Sequence, residues 1–395
     1  MDLSARARQL APSPTLAIDR ELKRLVAQGE DVVSFGIGEP DFETPSFIAE
    51  AGIEAIRGGA TRYTAVEGTP RLRAAIVAYL ERAEGLRYDP DEVMASAGAK
   101  QALYNALLAL VNPGDAVLIP APYWVSYPEQ VRLAGGVPVT VPTDPAGGYH
   151  LSVDDLRRAY RPDVRGLIIN SPNNPTGAVL RAADTRAISD FCQRHDLFII
   201  ADEIYQRLTY GSEPSPSLAS LPGMRERTVI VNGVSKSYAM TGWRIGFAAG
   251  PPEVVAAMGR IQGQTTSNPS SVSQAAAAAA LRSDDRTVEA MRLRFAARRA
   301  LMLEGLGRIP GLHAVWPEGA FYVWVEVGGL SGQYDGRPLS DGDVLARFLL
   351  DKAQVAVVPG SGFGTRAAVR LSFAQSEERI EEGLARMSKV LQTSA

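Results

Sequence analysis

The chain has 395 residues, a 46% apolar fraction and a formal net charge of -3. It is therefore too long for one ordinary core, too apolar for a disordered or fibrous protein, and without a broad basic face for nucleic acid or anionic lipid. Its one cysteine, Cys192, excludes an intrachain disulfide and a cysteine-based zinc site, and with no apolar signal core in MDLSARARQL and no run near the ~20 residues of a membrane span, the expected setting is cytoplasmic.

The first ~45 residues carry no sheet pattern of their own and could pack on either of two units. From about residue 90 to residue 250, short apolar runs alternate with helical stretches, the signature of an α/β unit with a largely parallel sheet. The runs are EVMASAG, DAVLIPAPYW, RGLIINSP, DLFIIADEIY, TVIVNGVSK and RIGFAAG. Ligands in such sheets bind outside the carboxyl ends of the strands. That rule selects Gly98 to Lys100, Tyr123 and Trp124, Asn173 and Asn174, Asp202 and Tyr205, and Ser235 and Lys236. The alanine run Ala275 to Ala280 reads as a buried helix. Beyond a long helical region ending near Leu306, the runs AFYVWVEV, QVAVVP and AVRLSFA predict strands of a smaller α+β unit.

Only five lysines are present, because arginine fills almost every generic cationic position. Lys23, Lys352 and Lys389 lie in polar helical stretches and read as solvated. Lys100 and Lys236 sit in loops after apolar runs, where each needs a reason.

Asp202 ends an apolar strand, where an ionised carboxylate is costly without a cationic partner. A protonated pyridine nitrogen is such a partner, and a structural cap on the following segment is the alternative. Lys236 is a candidate nucleophilic amine, since a desolvated site beside another cation lowers a lysine's pKa. Arg244, eight residues on, has the fork geometry for a phosphate. ASAGAKQALYNALLAL reads as a glycine turn feeding a helix whose first N–H groups form an anion site. The segment from Ser171 to Gly177 is a rigid loop that places Asn174 for a hydrogen bond to a ring hydroxyl. Trp124 offers a face for stacking or for simple packing. Arg370, inside an apolar strand, calls for either a substrate carboxylate or an internal salt bridge.

Together these residues resemble class I aminotransferases of fold type I, particularly bacterial aspartate aminotransferases of the thermophilic type. The resemblance runs through GEPDF, Tyr63 before EGTPRLR, GAKQALYN, PYWVSYPE, NSPNNPTG, DEIY, SKSYAMTGWRIGF, AFYVWV, VVPGSGFG and VRLSFA. It implies a pyridoxal 5'-phosphate enzyme with a mostly parallel central sheet in a large domain (46–290) and a smaller α+β domain (1–45 and 291–395). It implies that Lys236 carries the cofactor and moves protons, that Asp202 pairs with the pyridine nitrogen, that Tyr205 and Asn174 hold the ring oxygen, and that Trp124 stacks. Gly98, Ala99, Lys100, Ser235 and Arg244 would surround the phosphate, and Tyr63 would reach the phosphate of a neighbouring subunit in a homodimer. Gly38, Trp124, Asn174 and Arg370 would hold the substrate's α-carboxylate end, and Lys100, Ser13 and Thr15 its distal carboxylate.

The expected reaction is ping-pong transfer of an amino group between an L-amino acid, foremost aspartate or glutamate, and a 2-oxo acid. Aromatic or broad specificity and a β-lyase on the same fold are the alternatives. Two departures stand out. Gly233 occupies a position where many relatives have a phosphate-binding serine, and Ala11 replaces a lysine that tends to accompany prephenate activity. No metal is expected, and neither is a nucleic-acid or membrane partner.

Overall fold

The computed structural model describes residues 1–10, 14–211 and 216–392. A seven-stranded sheet forms from β1 (Val93–Ser96), β2 (Ala116–Ala121), β3 (Val137–Pro142), β4 (Val164–Asn170), β5 (Phe198–Asp202), β6 (Thr228–Gly233) and β7 (Gly246–Ala249). Their order is β1-β7-β6-β5-β4-β2-β3. All neighbours run parallel except β7, which is antiparallel to both β1 and β6. Every residue of β1, β6 and β7 is buried, which is why these strands read as unbroken apolar runs rather than alternating ones. β3 does not stand out in the sequence as an apolar run. Its sequence, VPVTVP, carries two prolines and lies largely open to solvent at the sheet edge, where a proline's missing N–H can face solvent without costing a ladder bond.

Helices cover both faces. The Ala99–Leu110 helix packs on the Pro252–Thr265 helix, and the Ser271–Arg282 helix packs on Ser46–Arg57 and Pro70–Glu84. Ala276, Ala277, Ala278 and Ala280 are buried in that contact, as the alanine run predicts. Cys192 is buried too, and burial pushes its thiol up to about 12, so it serves packing rather than chemistry. Lys23, Lys352 and Lys389 are exposed. Among the described residues, no helix is long and apolar enough to cross a membrane.

A second, antiparallel sheet is built from β8 (His313–Val315), β9 (Tyr322–Glu326), β10 (Val358–Pro359) and β11 (Ala368–Ser372), in the order β10-β11-β9-β8. Phe295, Phe321 and Phe373 anchor its core. The N-terminal segment joins this unit, for Val33–Ser34 pairs in parallel with Val355–Ala356. Asp31 is held there by Arg379 at 3.0 Å and Arg386 at 2.5 Å. Residues 290 and 291 lie inside one continuous helix, Arg286–Leu306, so the chain passes between the units without a linker.

One close approach positions the site. β7 runs directly beneath the start of the Ala99–Leu110 helix, so a Cβ at Gly246 would overlap the backbone of Gly98 and Ala99. Backbone cannot rotate away as a side chain can. We predict that Gly246→Ala costs about 1–3 kcal/mol through overpacking, read as a lower midpoint in chemical denaturation with an unchanged m-value.

Candidate active site

The carboxyl ends of β4, β5 and β6 deliver polar groups into the crevice between the two units. Asp202, the last residue of β5, is buried. Its Oδ2 accepts a hydrogen bond from the Tyr127 hydroxyl at 2.8 Å, and its Oδ1 accepts from the Ile204 N–H at 3.3 Å. Burial pushes its carboxyl up to about 6 against those two bonds and the nearby Lys236. The local cap is thus real, yet it leaves the carboxylate short of a cation.

Lys236 follows β6 and is half-buried. Its Nζ donates to the Gly38 carbonyl at 2.6 Å and lies 5.8 Å from the Phe321 ring centroid. Burial lowers its pKa to about 8; Arg370 and Arg244 assist, while Glu39 and Asp202 oppose. A lysine in this state holds a usable neutral fraction near neutral pH, as a nucleophile and proton carrier must.

Arg370, on β11, is fully buried. It donates to Asn174 Oδ1 at 2.9 Å and to the Gly36 carbonyl at 3.1 Å. Its guanidinium stands 4.3 Å above the Tyr322 ring and 5.1 Å above that of Phe363. Burial lowers its pKa. Among the described residues no carboxylate forms an ion pair with it, and its Nε has no partner. The internal salt bridge is therefore not what holds it.

Asn174 is itself pinned, since its N–H donates to Asn170 Oδ1 at 2.8 Å while Asn170 Nδ2 donates to the Asp202 carbonyl at 2.9 Å. The loop is rigid because its amide groups stitch it to β5. Tyr205, also buried, shares a 2.9 Å hydrogen bond with the Tyr322 hydroxyl.

On the other side, Gly98 takes φ +90° ahead of the Ala99–Leu110 helix, and a Cβ there would overlap the Arg244 guanidinium. Arg244 itself is exposed and donates to the Thr241 carbonyl at 2.8 Å. Ala99, the first residue of that helix, is half-buried, and Ser235 is buried. Gly233 is explained by space: a Cβ would come within 3.0 Å of Gly246 Cα and of the Ile245 carbonyl, so a serine would need the strands to part. Trp124 is half-buried, with Tyr127 edge-on at 5.3 Å and the Lys100 amine 4.6 Å from its ring centroid. Burial and the Arg244 charge lower the pKa of Lys100.

Tyr63 stands apart, 91% exposed on the surface. Ser13 lies outside the described residues, and so does the side chain of Thr15, whose backbone belongs to the Pro14–Ala27 helix. Three contributors escaped sequence reasoning: Tyr127, Asn170 and Tyr322. Tyr127, in the first turn of the Ser126–Leu133 helix that follows Trp124, gave no signal that separates it from a packing residue. Asn170 and Tyr322 gave no signal beyond membership of apolar runs.

Beneath Asp202 lies a second acid cluster. The Glu203 carboxyl is buried against that of Glu84, at the end of the Pro70–Glu84 helix, with Gln206, Arg207 and Ser217 around them. Burial pushes Glu84 well above the carboxylate range and Glu203 up to about 7.

A half-buried lysine, a buried carboxylate and a buried arginine converging at the carboxyl edge of a parallel sheet define an enzyme site. The chain belongs to the aminotransferases of class I and II, whose family model matches residues 30–387, and it is an enzyme of that kind. It is similar to the aspartate aminotransferase of Geobacillus stearothermophilus, at 44% identity covering 100% of both chains. It is also similar to the aspartate/prephenate aminotransferase of Nitrosomonas europaea, at 41% identity covering 99% of this chain and 100% of the relative. The solved structure of the Thermus thermophilus aspartate aminotransferase with maleate superposes with a TM-score of 0.94, at 41% identity covering 99% of this chain and 100% of the other.

The Glu84–Glu203 pair carries a pH signature. Both carboxyls keep protons in the fold at pH values where the unfolded chain, with ordinary glutamates near ~4.3, has lost them. Their stabilising contribution is complete below that value; the Glu203 part is lost as pH rises through about 7, and the Glu84 part declines across the same range. Glu84→Gln keeps a donor toward Glu203 and removes the titration, so its urea midpoint should fall less than that of the wild type between about pH 5 and pH 8. Parallel curves for the two proteins would refute the raised pKa of Glu84.

Proposed function

We propose that the enzyme is a cytoplasmic homodimer that uses pyridoxal phosphate to move amino groups between aspartate or glutamate and the corresponding 2-oxo acids. The observation that carries this reading is Arg370, a buried fork with aromatic and amide neighbours, no carboxylate partner among the described residues, and one idle N–H. A guanidinium so placed awaits a carboxylate that arrives from outside.

The residues fit the cofactor. Asp202, held up by burial and lacking a cation, suits a protonated ring nitrogen. The glycine cradle at Gly98, the helix start at Ala99 and Lys100, Ser235 and Arg244 suit a phosphate. Pyridoxal phosphate, when bound, supplies an electron sink for negative charge developing at the substrate Cα. Lys236 Nζ anchors the cofactor, then takes and returns the Cα proton. Asp202 keeps the ring nitrogen protonated, and Tyr205 and Asn174 donate to the ring oxygen. Trp124 covers the ring face. Arg370, Asn174 and the Gly38 segment orient the α-carboxylate, so that only the Cα–H bond is presented for cleavage and the carboxylate is retained. We also infer that 46–290 and 1–45 with 291–395 act as two domains closing on this crevice, because the N-terminal strand pairs with the second unit.

For the distal carboxylate the reading rests on Lys100, aided by Ser13 and Thr15. The Thermus relative was solved with maleate, itself a dicarboxylate. The name of the Nitrosomonas relative adds prephenate; Ala11 argues against that substrate here.

Lys236→Ala should lose the borohydride-reducible covalent adduct and multiple turnover while still retaining cofactor noncovalently; persistence of the adduct would move the assignment to Lys100. Mixing Lys236→Ala with Tyr63→Ala should regain activity, because a hybrid dimer rebuilds one site from the intact Lys236 of one chain and the intact Tyr63 of the other. Lys100→Ala should lower kcat/KM for aspartate by roughly tenfold or more while changing phenylalanine little, since only aspartate loses a charge partner. Equal losses would instead support the aromatic or broad-specificity reading.

A further inference from the structure

Tyr322 belongs to β9, at the centre of the smaller sheet, and is almost completely buried. Two strands of that sheet place it on the face that carries Arg370, for Tyr322 pairs with Ser372 and Trp324 pairs with Arg370. Its ring supports the guanidinium at 4.3 Å. Its hydroxyl reaches across to the larger unit and meets the Tyr205 hydroxyl at 2.9 Å. A Cβ built on Gly38, whose carbonyl receives Lys236, would stand 3.6 Å from that same oxygen.

Proton counting gives the contact a direction. Burial raises the pKa of both phenols, so each keeps its single proton. Among the described residues, the Tyr205 contact is the one hydrogen bond in which the Tyr322 hydroxyl takes part. A Tyr205 that donates to a ligand oxygen has no second proton to give Tyr322. The donor of the pair must then be Tyr322, and receiving that bond also polarises the Tyr205 O–H and strengthens its own donation.

We propose that Tyr322 is a positioning residue that fixes the proton of Tyr205 on the ring oxygen of the bound cofactor, while its ring forms the floor of the Arg370 carboxylate fork. The proposal rests on the pyridoxal phosphate reading above. It makes a single phenol of the smaller unit responsible for the electronic setting of a group held by the larger one.

The test is spectrophotometric and uses the holoenzyme. A donor on the ring oxygen competes for the lone pairs that would otherwise hold the proton of the lysine–cofactor adduct, so weakening that donor raises the pKa at which the adduct's absorbance changes. Tyr322→Phe removes one oxygen and keeps the ring. We expect the midpoint of the absorbance–pH titration to rise by roughly half a unit to one unit, the size of one neutral hydrogen bond. We expect a larger rise in Tyr205→Phe, and no further rise when Tyr322→Phe is added to Tyr205→Phe, because the outer phenol acts only through the inner one. KM for the amino acid should change less than twofold, since the floor beneath Arg370 remains.

An unshifted midpoint in Tyr322→Phe, or additive shifts in the double variant, overturns the proposal. Thermal melting of the apoprotein separates loss of fold from loss of tuning: a variant that melts with the wild type and titrates with it also overturns the proposal. Failure of the underlying reading is distinguishable, because the wild type would then show no pH-dependent cofactor band and no borohydride-fixed adduct on Lys236.

Discussion

Arg370 brings a permanent positive charge into the interior, and much of the site is arranged around that cost. Deprotonation is closed to a guanidinium, so unlike the neighbouring acid and amine it cannot escape burial by becoming neutral. It must be surrounded instead. Asn174 and the Gly36 carbonyl accept two of its hydrogens, and Tyr322 and Phe363 present their ring faces to its plane. Each of those neighbours is then constrained in turn. Asn174 requires a loop fastened through Asn170 to the end of β5, and Gly36 requires the N-terminal segment to lie along the smaller sheet, where Val33–Ser34 pairs with Val355–Ala356. One buried cation thereby draws three distant stretches of chain into register.

The other two charged groups respond to burial in the opposite manner. Asp202 is pushed up to about 6 and Lys236 down to about 8, each toward its neutral form. The two directions share one cause, the loss of water at the crevice floor. Such groups stand close to gaining or losing a proton, and a modest change in what lies beside them alters their state. The surface ion pairs do not share that sensitivity. Arg24 with Glu21, for example, is exposed and solvent-screened, and contributes little.

Most of the large sheet could be read from sequence because its strands are buried on both faces and announce themselves as continuous apolar runs. β3 could not, since an edge strand with two prolines looks like a turn. The positions of Lys236, Asp202, Asn174 and Arg370 were legible for a related reason: each is a polar residue at the end of, or inside, an apolar run, where chance rarely leaves one. Tyr127, Asn170 and Tyr322 were not, because a tyrosine or asparagine in such a stretch satisfies packing rules equally well with or without a polar partner. Whether its hydroxyl or amide meets another group depends on the pairing of distant strands, which is information no local window contains. Glu203 was hidden differently. It stands beside Asp202 in the same motif, and only the fold shows that its carboxyl turns away toward Glu84.

The antiparallel strand β7 has a consequence for the order in which the molecule can be made. β1 has β7 as its sheet neighbour, and β7 lies between it and β6. As the chain leaves the ribosome, β1 emerges early and finds no partner until Gly246–Ala249 has been synthesised. The apolar edge of Val93–Ser96 must meanwhile be sheltered by its neighbouring helices or by a chaperone. Val33–Ser34 waits longer still, for Val355–Ala356. Arg370 is the last of the site's charged groups to be synthesised, so a nascent chain that stalls between the two units leaves both unpaired edges open to another copy.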